Sequence, residues 1–305
     1  MDKVLVIMST YNGEKYLQQQ INSIIQQKDV EIKLVIRDDG SRDSTLDIIK
    51  ENADKYACIE YSAGENIGFR RSFYDTLISS NDQYDYYAFA DQDDVWKADK
   101  LIRAIEKLKE LDSDLKLYTS ALHVVNQDLE HMYDNTFKGL RINFGSALSR
   151  QRLAGCTMVF NKELFKMCCK FSITEKMGDT ISHDAAVYYI CLLCGGKVFF
   201  DEQSYIDFRR HTTTVTEHGK GLKKRVQSVT NIFGGQKNRR YNQVLLLREV
   251  YYDNMTTDMK ELSEQIFRYK DSLKNTISLA MSGKLKSGIK SVDIVNFFAV
   301  ILRCY

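Results

Sequence analysis

The chain has 305 residues, 44% of them apolar and 28% charged, which is typical of one large globular domain or of one domain with an extension. It has no run of about 18 apolar residues, so no membrane-spanning helix is predicted. The opening residues MDKVLVIMSTYNGEKYL lack the zones of a signal peptide, and the seven cysteines are an odd number. We therefore expect a cytoplasmic protein with free thiols.

Charge is distributed unevenly along the chain. Residues 219–305 contain 16 Lys and Arg against 7 Asp and Glu, a net charge of +9, which leaves −7 for residues 1–218 because the whole chain is +2. A basic extension on an acidic body predicts contact with an anionic partner. The extension has no recognised nucleic-acid-binding motif and no aromatic residues interleaved with the basic ones, so we expect no nucleic-acid partner.

The first hundred residues predict alternating strands and helices. Short apolar runs predict strands in KVLVIMST, IKLVIRDD, CIEYSAG and YDYYAFA, and the segments between them have the apolar spacing and capping residues of helices. This alternation is typical of an α/β fold with a doubly wound, mostly parallel sheet flanked by helices. In such sheets ligands bind at the carboxyl ends of the strands.

Beyond residue 111 the pattern is looser. LKLYTSALHVVNQD predicts a strand, and LAGCTMVFNKELF predicts a turn, a strand and a helix start. SHDAAVYYICLLCGGKVFFDEQSYIDFRRH predicts a helix that stops at Gly-Gly before two strands. After residue 218, KGLKKRVQSVTNIF, a long segment from about 237 to 280, and IKSVDIVNFFAVILRCY predict helix. We therefore predict an α/β domain at 1–218 and a helical C-terminal extension at 219–305.

Polar clusters follow the four predicted strands: STYN, DDGSRD, GENIG and DQDD. Because the carboxyl ends of parallel strands meet at one edge of a sheet, we expect these loops to converge. The last cluster places Asp91, Asp93 and Asp94 within four residues, where their charges repel one another. Such oxygen ligands suit Mg²⁺ or Mn²⁺. A solvated acidic turn, with Asp94 capping the next helix, is the alternative.

These motifs resemble a known family. VIMSTYNGEKYL, IRDDGSRDST, ENIGF and FADQDDVWKADKL are similar to the nucleotide-binding half of glycosyltransferase family 2, which has the GT-A fold. SHDAAVYY and FRRHTTTV are similar to a bacterial rhamnosyltransferase-like subgroup, with departures at Ala185, Ala186, Phe208 and Thr214. The resemblance covers roughly residues 3–218 and implies a nucleotide-binding half at 1–110 and an acceptor half at 111–218.

The resemblance also implies roles for individual residues. Asp91 and Asp93 form a D-x-D pair that binds a divalent cation on the donor diphosphate, and His211 is a further candidate metal ligand. Asp184 is the candidate catalytic base, which removes a proton from the acceptor hydroxyl, although a helix N-cap is the alternative. His183 is expected to orient that site. The residues expected to bind the nucleotide sugar are Ser9, Thr10, Tyr11, Asp39, Asn66, Asp91 and Arg209.

The implied activity is that of a metal-dependent, inverting glycosyltransferase. The donor is dTDP-rhamnose or a UDP-sugar, and the acceptor is a glycan or lipid-linked glycan of capsule, O-antigen or cell-wall polysaccharide. A UDP-sugar-dependent hexosyl or N-acetylhexosaminyl transferase of the same fold is one alternative. A non-catalytic nucleotide-sugar-binding protein is another alternative. The presence of both Asp93 and Asp184 argues against it, because a protein without turnover does not need both carboxylates. A nucleotidyltransferase is disfavoured because STYNGEKYL lacks a Gly-rich basic loop.

The basic extension allows two interpretations. KGLKKRV and KSGIKSVDIVNFFAVILRCY combine basic and apolar residues as interfacial helices do, which predicts peripheral contact of 219–305 with the inner face of the cell membrane. The alternative is helices that pack on the catalytic domain or on a second copy of the chain.

Overall fold

A computed structural model describes residues 1–136, 139, 141–149, 153–171, 181–210, 234–235 and 237–305. The strands are β1 (Asp2–Thr10), β2 (Val30–Asp38), β3 (Ile59–Ala63), β4 (Tyr86–Ala90), β5 (Val95–Trp96), β6 (Lys116–Ser120), β7 (Leu122–Val125), β8 (His131–Asn135), β9 (Val159–Asn161), β10 (Lys197–Asp201) and β11 (Ile206–Arg209). The helices are α1 (Leu17–Ile25), α2 (Thr45–Lys55), α3 (Phe69–Ser79), α4 (Lys100–Glu110), α5 (Phe144–Ser149), α6 (Lys162–Cys168), α7 (His183–Leu193), α8 (Arg239–Tyr251), α9 (Thr257–Arg268), α10 (Leu273–Met281) and α11 (Lys290–Ile301). The candidate ligand His211 and the segment KGLKKRVQSVTNIF lie outside the described residues.

Seven strands form the larger sheet, in the order β10-β6-β9-β4-β1-β2-β3. β1 pairs in parallel with both β2 and β4, so residues 4–10 are buried in the centre of the sheet. The pairs β2–β3 and β6–β10 are also parallel, and β9 runs antiparallel to β4 and β6. The predicted α/β fold with a mostly parallel sheet is therefore confirmed.

The second sheet has four strands, in the order β5-β11-β7-β8, and corrects one prediction. LKLYTSALHVVNQD forms two strands rather than one, because β6 belongs to the larger sheet and β7 to the smaller. The chain changes sheets at Ala121, whose N–H donates to the carbonyl oxygen of Asp201 at 2.8 Å. The strands β5 and β8 were not predicted, since one is two residues long and the other is mostly exposed.

The chain forms two compact units. One contains Met1–Thr136, Leu153–Cys191 and Gly196–His211, and therefore both sheets. The other contains Phe137–Arg152, Leu192–Gly195 and Thr212–Tyr305, and includes α5 and α8 to α11. The predicted boundary between residues 218 and 219 lies outside the described residues and stays a prediction.

The segment from about 237 to 280 is helical, as predicted, but it is divided into three helices. The Thr256 hydroxyl accepts from the Met259 N–H at 3.3 Å and begins α9. The Ser272 hydroxyl accepts from the Asn275 N–H at 3.1 Å and begins α10. Both are N-cap residues, which end one helical run and start the next. Among the helices that the structure describes, none has the length and apolar character needed to cross a membrane.

Candidate functional site

The loops that follow β1 to β4 converge at one edge of the larger sheet, as the strand-helix alternation predicts. Gln92 joins the fourth loop to the first, because its Oε1 accepts from the Tyr11 N–H at 2.8 Å and its Nε2 donates to the Tyr11 carbonyl at 3.1 Å. Ser41 joins the second loop to the first by accepting from the Asn12 N–H at 3.0 Å. These bonds hold the backbone of the first loop from two sides.

Gln92 is a site residue that the sequence analysis missed. Its side chain packs so closely on Gly13 that a Cβ there would lie 2.4 Å from Gln92 Oε1. The pairing of Gln92 with Tyr11 joins residues 81 positions apart, and no local periodicity indicates such a contact. Its place between Asp91 and Asp93, at the carboxyl end of β4, was the one signal that could have indicated it.

The hydroxyl groups of Ser9 and Thr10 are used inside the protein. Ser9 and Ser72 share a hydrogen bond of 2.6 Å between their hydroxyls, and Thr10 donates to Asp38 at 3.0 Å. Asp38 also accepts from the N–H of Ser41 at 2.9 Å. Ser9 and Thr10 are both buried, so these two predicted donor-binding residues lie beneath the edge of the sheet, where they support the loops.

Asp39 ties the second loop to the third. Its carboxylate accepts from the N–H groups of Ile67 and Gly68, both at 2.9 Å, and pairs with the guanidinium of Arg37. Asp39 itself is 1% exposed. The third loop is thereby fixed against the end of β2 by a charged acceptor, which makes hydrogen bonds stronger than neutral ones.

Two of the predicted nucleotide-sugar ligands are exposed at this edge. Tyr11 is 44% exposed, and Asn66 is exposed in the loop after β3. Gly40 lets the second and third loops approach each other: its φ is +81°, and a Cβ there would lie 3.2 Å from the Asn66 backbone nitrogen. The edge therefore presents an aromatic ring and an amide next to the acidic turn after β4.

The acidic turn divides its carboxylates between the surface and the interior. Asp91 and Asp93 are partly exposed, whereas Asp94 is fully buried and accepts from the backbone N–H of Arg209 at 3.0 Å. The thiol of Cys156 and carboxylate oxygens of Asp91 and Asp94 all lie within 4.8 Å of one another. Burial first and the charge of Asp93 second raise the pKa of Asp91 to about 7.

Lys100 lies in the interior behind this turn, near the buried Asp94. The side chain is 1% exposed, with Nζ 3.5 Å from the centroid of the Trp96 ring. Burial lowers the pKa of Lys100 to about 7, against the opposing effect of the nearby Cys156 and Asp94. Among the described residues, neither Lys100 Nζ nor Asp94 Oδ2 has a hydrogen-bond partner. Burial also raises the pKa of Asp94 well above its ordinary value, so the interior disfavours the charged form of both groups.

The oxygen donors of Asp91 and Asp93 fit a hard divalent cation. The raised pKa of Asp91 means that the surrounding protein does not compensate the negative charge there, and a cation would do so. Cys156 does not offer a thiolate, because burial first and the charge of Asp91 second raise the pKa of its thiol well above the ordinary value. The donor set therefore favours Mg²⁺ or Mn²⁺ over a metal that prefers sulfur.

Arg209 lies behind the acidic turn rather than at the surface. It is 2% exposed, and its Nε donates to the Asp93 carbonyl at 2.7 Å. Its Nη2 donates to Gln19 Oε1 at 2.7 Å, and its Nη1 donates to the Gln127 carbonyl. The guanidinium also stacks over the Tyr16 ring, 4.4 Å from the centroid. Its donors thus hold the backbone that carries Asp93.

α7 begins with two residues in different surroundings. The His183 ring is 5% exposed, stacks on Phe73 with centroids 4.2 Å apart, and meets the edge of Phe89 at 4.7 Å. Gly155 makes room for it, since a Cβ there would lie 2.9 Å from His183 Nε2. Burial among aromatic rings lowers the pKa of His183 to about 4, so the ring is neutral at pH 7.

Asp184 lies close enough to the acidic turn to act on it electrostatically. It is partly exposed, and its charge is one of the causes that raise the pKa of Asp91. Its Oδ1 accepts from the N–H of Ala185 at 2.8 Å. Ala185 and Ala186, which depart from the subgroup pattern, are both buried. Asp91 and Asp184 lie 93 positions apart along the chain, and the fold brings them together.

A second cluster of ionisable residues lies on β7 and β8. His123 Nδ1 and His131 Nε2 approach the same oxygen of Asp134, at 2.8 and 3.3 Å, and the two rings stack with centroids 4.4 Å apart. Hydrogen bonds from the histidines, that of His123 first among them, lower the pKa of Asp134. Hydrogen bonds account for this exposed cluster without a bound ion.

The chain is similar to known proteins in both sequence and fold. A family model described as glycosyl transferase family 2 matches residues 5–168. The chain is 32% identical over 212 residues to dTDP-rhamnosyl transferase RfbG of Shigella flexneri, a match that covers 67% of this chain and 71% of that protein. Crystal structures of S. aureus TarS with UDP and with UDP-GlcNAc superpose with TM-scores of 0.54 and 0.52, at 16% identity over 98% of this chain and 90% of theirs.

We predict that Arg209→Met destabilises the fold by about 2–4 kcal/mol, because the carbonyl oxygens of Asp93 and Gln127 lose their buried donor. Urea unfolding measures this change. Arg103→Met is the matched control, expected within about 0.5 kcal/mol of wild type because the Arg103 side chain is 53% exposed. A variant with wild-type stability that binds a nucleoside diphosphate tenfold more weakly would instead place the guanidinium on the diphosphate.

We predict that His183 makes the fold sensitive to acid. Above pH 6.5 the ring is neutral in both the folded and the unfolded chain; between about pH 6.5 and 4 the unfolded chain binds a proton that the folded one excludes. Relative to His183→Leu, wild type should lose up to about 3 kcal/mol of unfolding free energy over that range. Urea unfolding at a series of pH values tests this, and parallel curves for the two proteins would contradict it.

Proposed function

Because the chain belongs to glycosyltransferase family 2, we propose that it is an inverting, metal-dependent enzyme that moves a sugar from a nucleoside diphosphate to a glycan acceptor in bacterial surface polysaccharide synthesis. Membership of the family makes it a glycosyltransferase, and its architecture is the GT-A fold. The observation that carries the finer proposal is the grouping of Asp91, Asp93 and Asp184 at the edge where the four loops converge.

The nucleotide is proposed to bind along the first three loops. The exposed ring of Tyr11 offers a stacking surface for a base. A carboxylate has about four acceptor positions. Among the described residues, the bonds from Arg37, Ile67 and Gly68 occupy three of those of Asp39, and the remaining one is proposed to accept from the N–H of a pyrimidine. Both UDP and dTDP carry such an N–H, so this contact accepts either nucleotide.

Asp91 and Asp93 are proposed to hold Mg²⁺ or Mn²⁺. A bound divalent cation stabilises the charge that develops on the departing nucleoside diphosphate. Gln92 fixes the first loop to this turn, and Arg209 fixes its backbone from behind. Lys100 and Asp94 lie in the interior behind the turn, whereas Asp91 and Asp93 are partly exposed. His211 stays a candidate ligand outside the described residues.

Asp184 is proposed as the general base. Its carboxylate removes the proton from the acceptor hydroxyl as the oxygen attacks the anomeric carbon opposite the leaving diphosphate, which inverts the configuration. The position of Asp184 on the first turn of α7, near Asp91, supports this role. His183 is proposed to anchor the start of the helix in its aromatic pocket, so that the neighbouring Asp184 keeps its orientation.

L-Rhamnose is the proposed donor sugar, and the likeness to RfbG supports it. The alternative is a UDP-linked hexose or N-acetylhexosamine, since TarS of the same fold has been solved with UDP-GlcNAc. Ala185 and Ala186 do not decide between them, because both side chains are buried. A lipid-linked glycan is the proposed acceptor, and residues 219–305 are proposed to contact the inner face of the cell membrane from the cytoplasm.

We expect one donor to be hydrolysed only when metal is present. Purified protein would be incubated with dTDP-rhamnose, UDP-glucose, UDP-galactose, UDP-N-acetylhexosamines and GDP-mannose, with Mn²⁺, Mg²⁺ or EDTA, and released nucleotide measured. Asp93→Asn should lower the rate at least about 100-fold, because it removes a cation ligand. Asp99→Asn, a nearby half-exposed aspartate, should retain the wild-type rate. Binding of a donor without any turnover would favour the non-catalytic alternative.

We expect Asp184→Asn to separate catalysis from binding. Loss of the general base should slow donor hydrolysis by about 100-fold or more while nucleoside diphosphate affinity in the presence of metal stays within about twofold of wild type. Isothermal titration calorimetry and the nucleotide-release assay measure the two quantities on the same sample. An unchanged rate for Asp184→Asn would remove this residue from the mechanism.

A further inference from the structure

The helical unit exposes two apolar stripes. Six apolar side chains, each at least half exposed, recur at every fourth residue: Leu273, Ile277 and Met281 on α10, and Ile294, Phe298 and Leu302 on α11 and its C-cap. Side chains four residues apart lie on the same face of a helix. The two helices pack against each other, so the stripes belong to neighbouring helices.

The opposite sides of the same helices are already packed. Leu279 of α10 and Ala299 and Val300 of α11 are buried. Each helix is therefore apolar on two sides. A surface helix that packs only against the core needs one apolar side, which faces the core. Contiguous exposed apolar surface of this kind marks an interaction site. The apolar stripes thus require a partner that accepts aliphatic and aromatic side chains.

Positive charge surrounds the apolar stripes. Residues 270–305 contain six Lys and Arg but two Asp and Glu. Lys274, Lys286 and Lys290 are exposed, and Lys290 lies one turn before the stripe of α11 on the same face. Of the two acidic residues, Asp293 is used internally, because it accepts from the N–H and hydroxyl of Ser287 at 2.6 and 2.7 Å. The partner should therefore be both apolar and anionic.

We infer that the apolar stripes, with Lys274, Lys286 and Lys290, form a docking surface for an anionic lipid membrane. A helix of twelve residues is about 18 Å long and cannot span a hydrocarbon core of about 30 Å, so α10 and α11 lie in the plane of the interface. Apolar side chains enter the acyl boundary and the lysines contact headgroup phosphates. This inference rests on the membrane contact in the proposed function, but not on its donor chemistry.

A second copy of the chain is a poorer partner for this surface. A symmetric dimer places the same patch on both sides of the interface. The lysines around the stripes would then face those of the other copy, and like charges brought together across an interface cost free energy. Anionic lipid headgroups neutralise the same lysines, so charge complementarity selects the membrane.

Vesicle sedimentation tests the surface in the 305-residue protein. Wild type should bind vesicles of phosphatidylcholine with phosphatidylglycerol, and bind phosphatidylcholine alone at least about tenfold more weakly. The double variant Ile277→Ser with Phe298→Ser should lose at least about tenfold in affinity for the mixed vesicles. Lys274→Glu with Lys290→Glu should do the same. Met132→Ser, which alters an exposed methionine of the sheet-containing unit, is the matched control and should bind like wild type.

The inference would be overturned if wild type bound neither vesicle, or if both double variants bound with wild-type affinity. It would also be overturned if wild type were a dimer that binds no vesicle and that Ile277→Ser with Phe298→Ser converts to a monomer. Sedimentation velocity gives the oligomeric state. Melting temperature and donor hydrolysis in the absence of vesicles are measured on every variant. A double variant that loses vesicle binding but keeps donor hydrolysis supports the docking surface. If wild type itself hydrolyses no donor, that result contradicts the proposed function and leaves the docking surface unaffected.

Discussion

Three carboxylates lie within four residues at the end of a buried strand. The side chains packed around them must accommodate their mutual repulsion. On the interior side of the turn, burial raises the pKa of Asp94 and lowers that of Lys100, which lies near it. The donors of Arg209 hold the backbone of the turn in place. On the outward side lie Asp91 and Asp93, and burial together with the charge of Asp93 raises the pKa of Asp91. A divalent cation is the natural complement of such a pair.

The same edge of the sheet is held together by hydrogen bonds between loops rather than within them. Gln92 pairs with the backbone of Tyr11, and Asp39 accepts from Ile67 and Gly68. Each bond joins segments that follow different parallel strands. Fixing the loops before a ligand arrives reduces the conformational entropy that binding must overcome. The convergence of loops in this fold thus produces a preorganised edge, at which we propose that the nucleotide and the cation bind.

The helical unit and the sheet-containing unit differ in how they use apolar residues. In the sheet-containing unit, β1 is buried on both faces, so its apolar side chains are covered by the rest of the unit. In the helical unit, α10 and α11 are apolar on two sides and bury one. The packed side already holds each helix in the fold. The stability of the unit therefore does not require apolar residues on the other side. The exposed stripes are therefore best understood through what the unit contacts rather than through its own folding.

Local pattern in the sequence was enough for the first four strands, the convergence of their loops and the acidic turn, because apolar periodicity and turn residues act over short distances. It was not enough for the order of the strands in the sheet. Nor was it enough for the pairing of Gln92 with Tyr11, for the change of sheet at Ala121, or for the burial of Ser9, Thr10 and Arg209. Those depend on contacts between residues far apart in the chain. The sequence determined which residues are candidates for the site. Tertiary packing decided which of them are exposed at the edge of the sheet and which support it from within, because burial depends on neighbours that no local window contains.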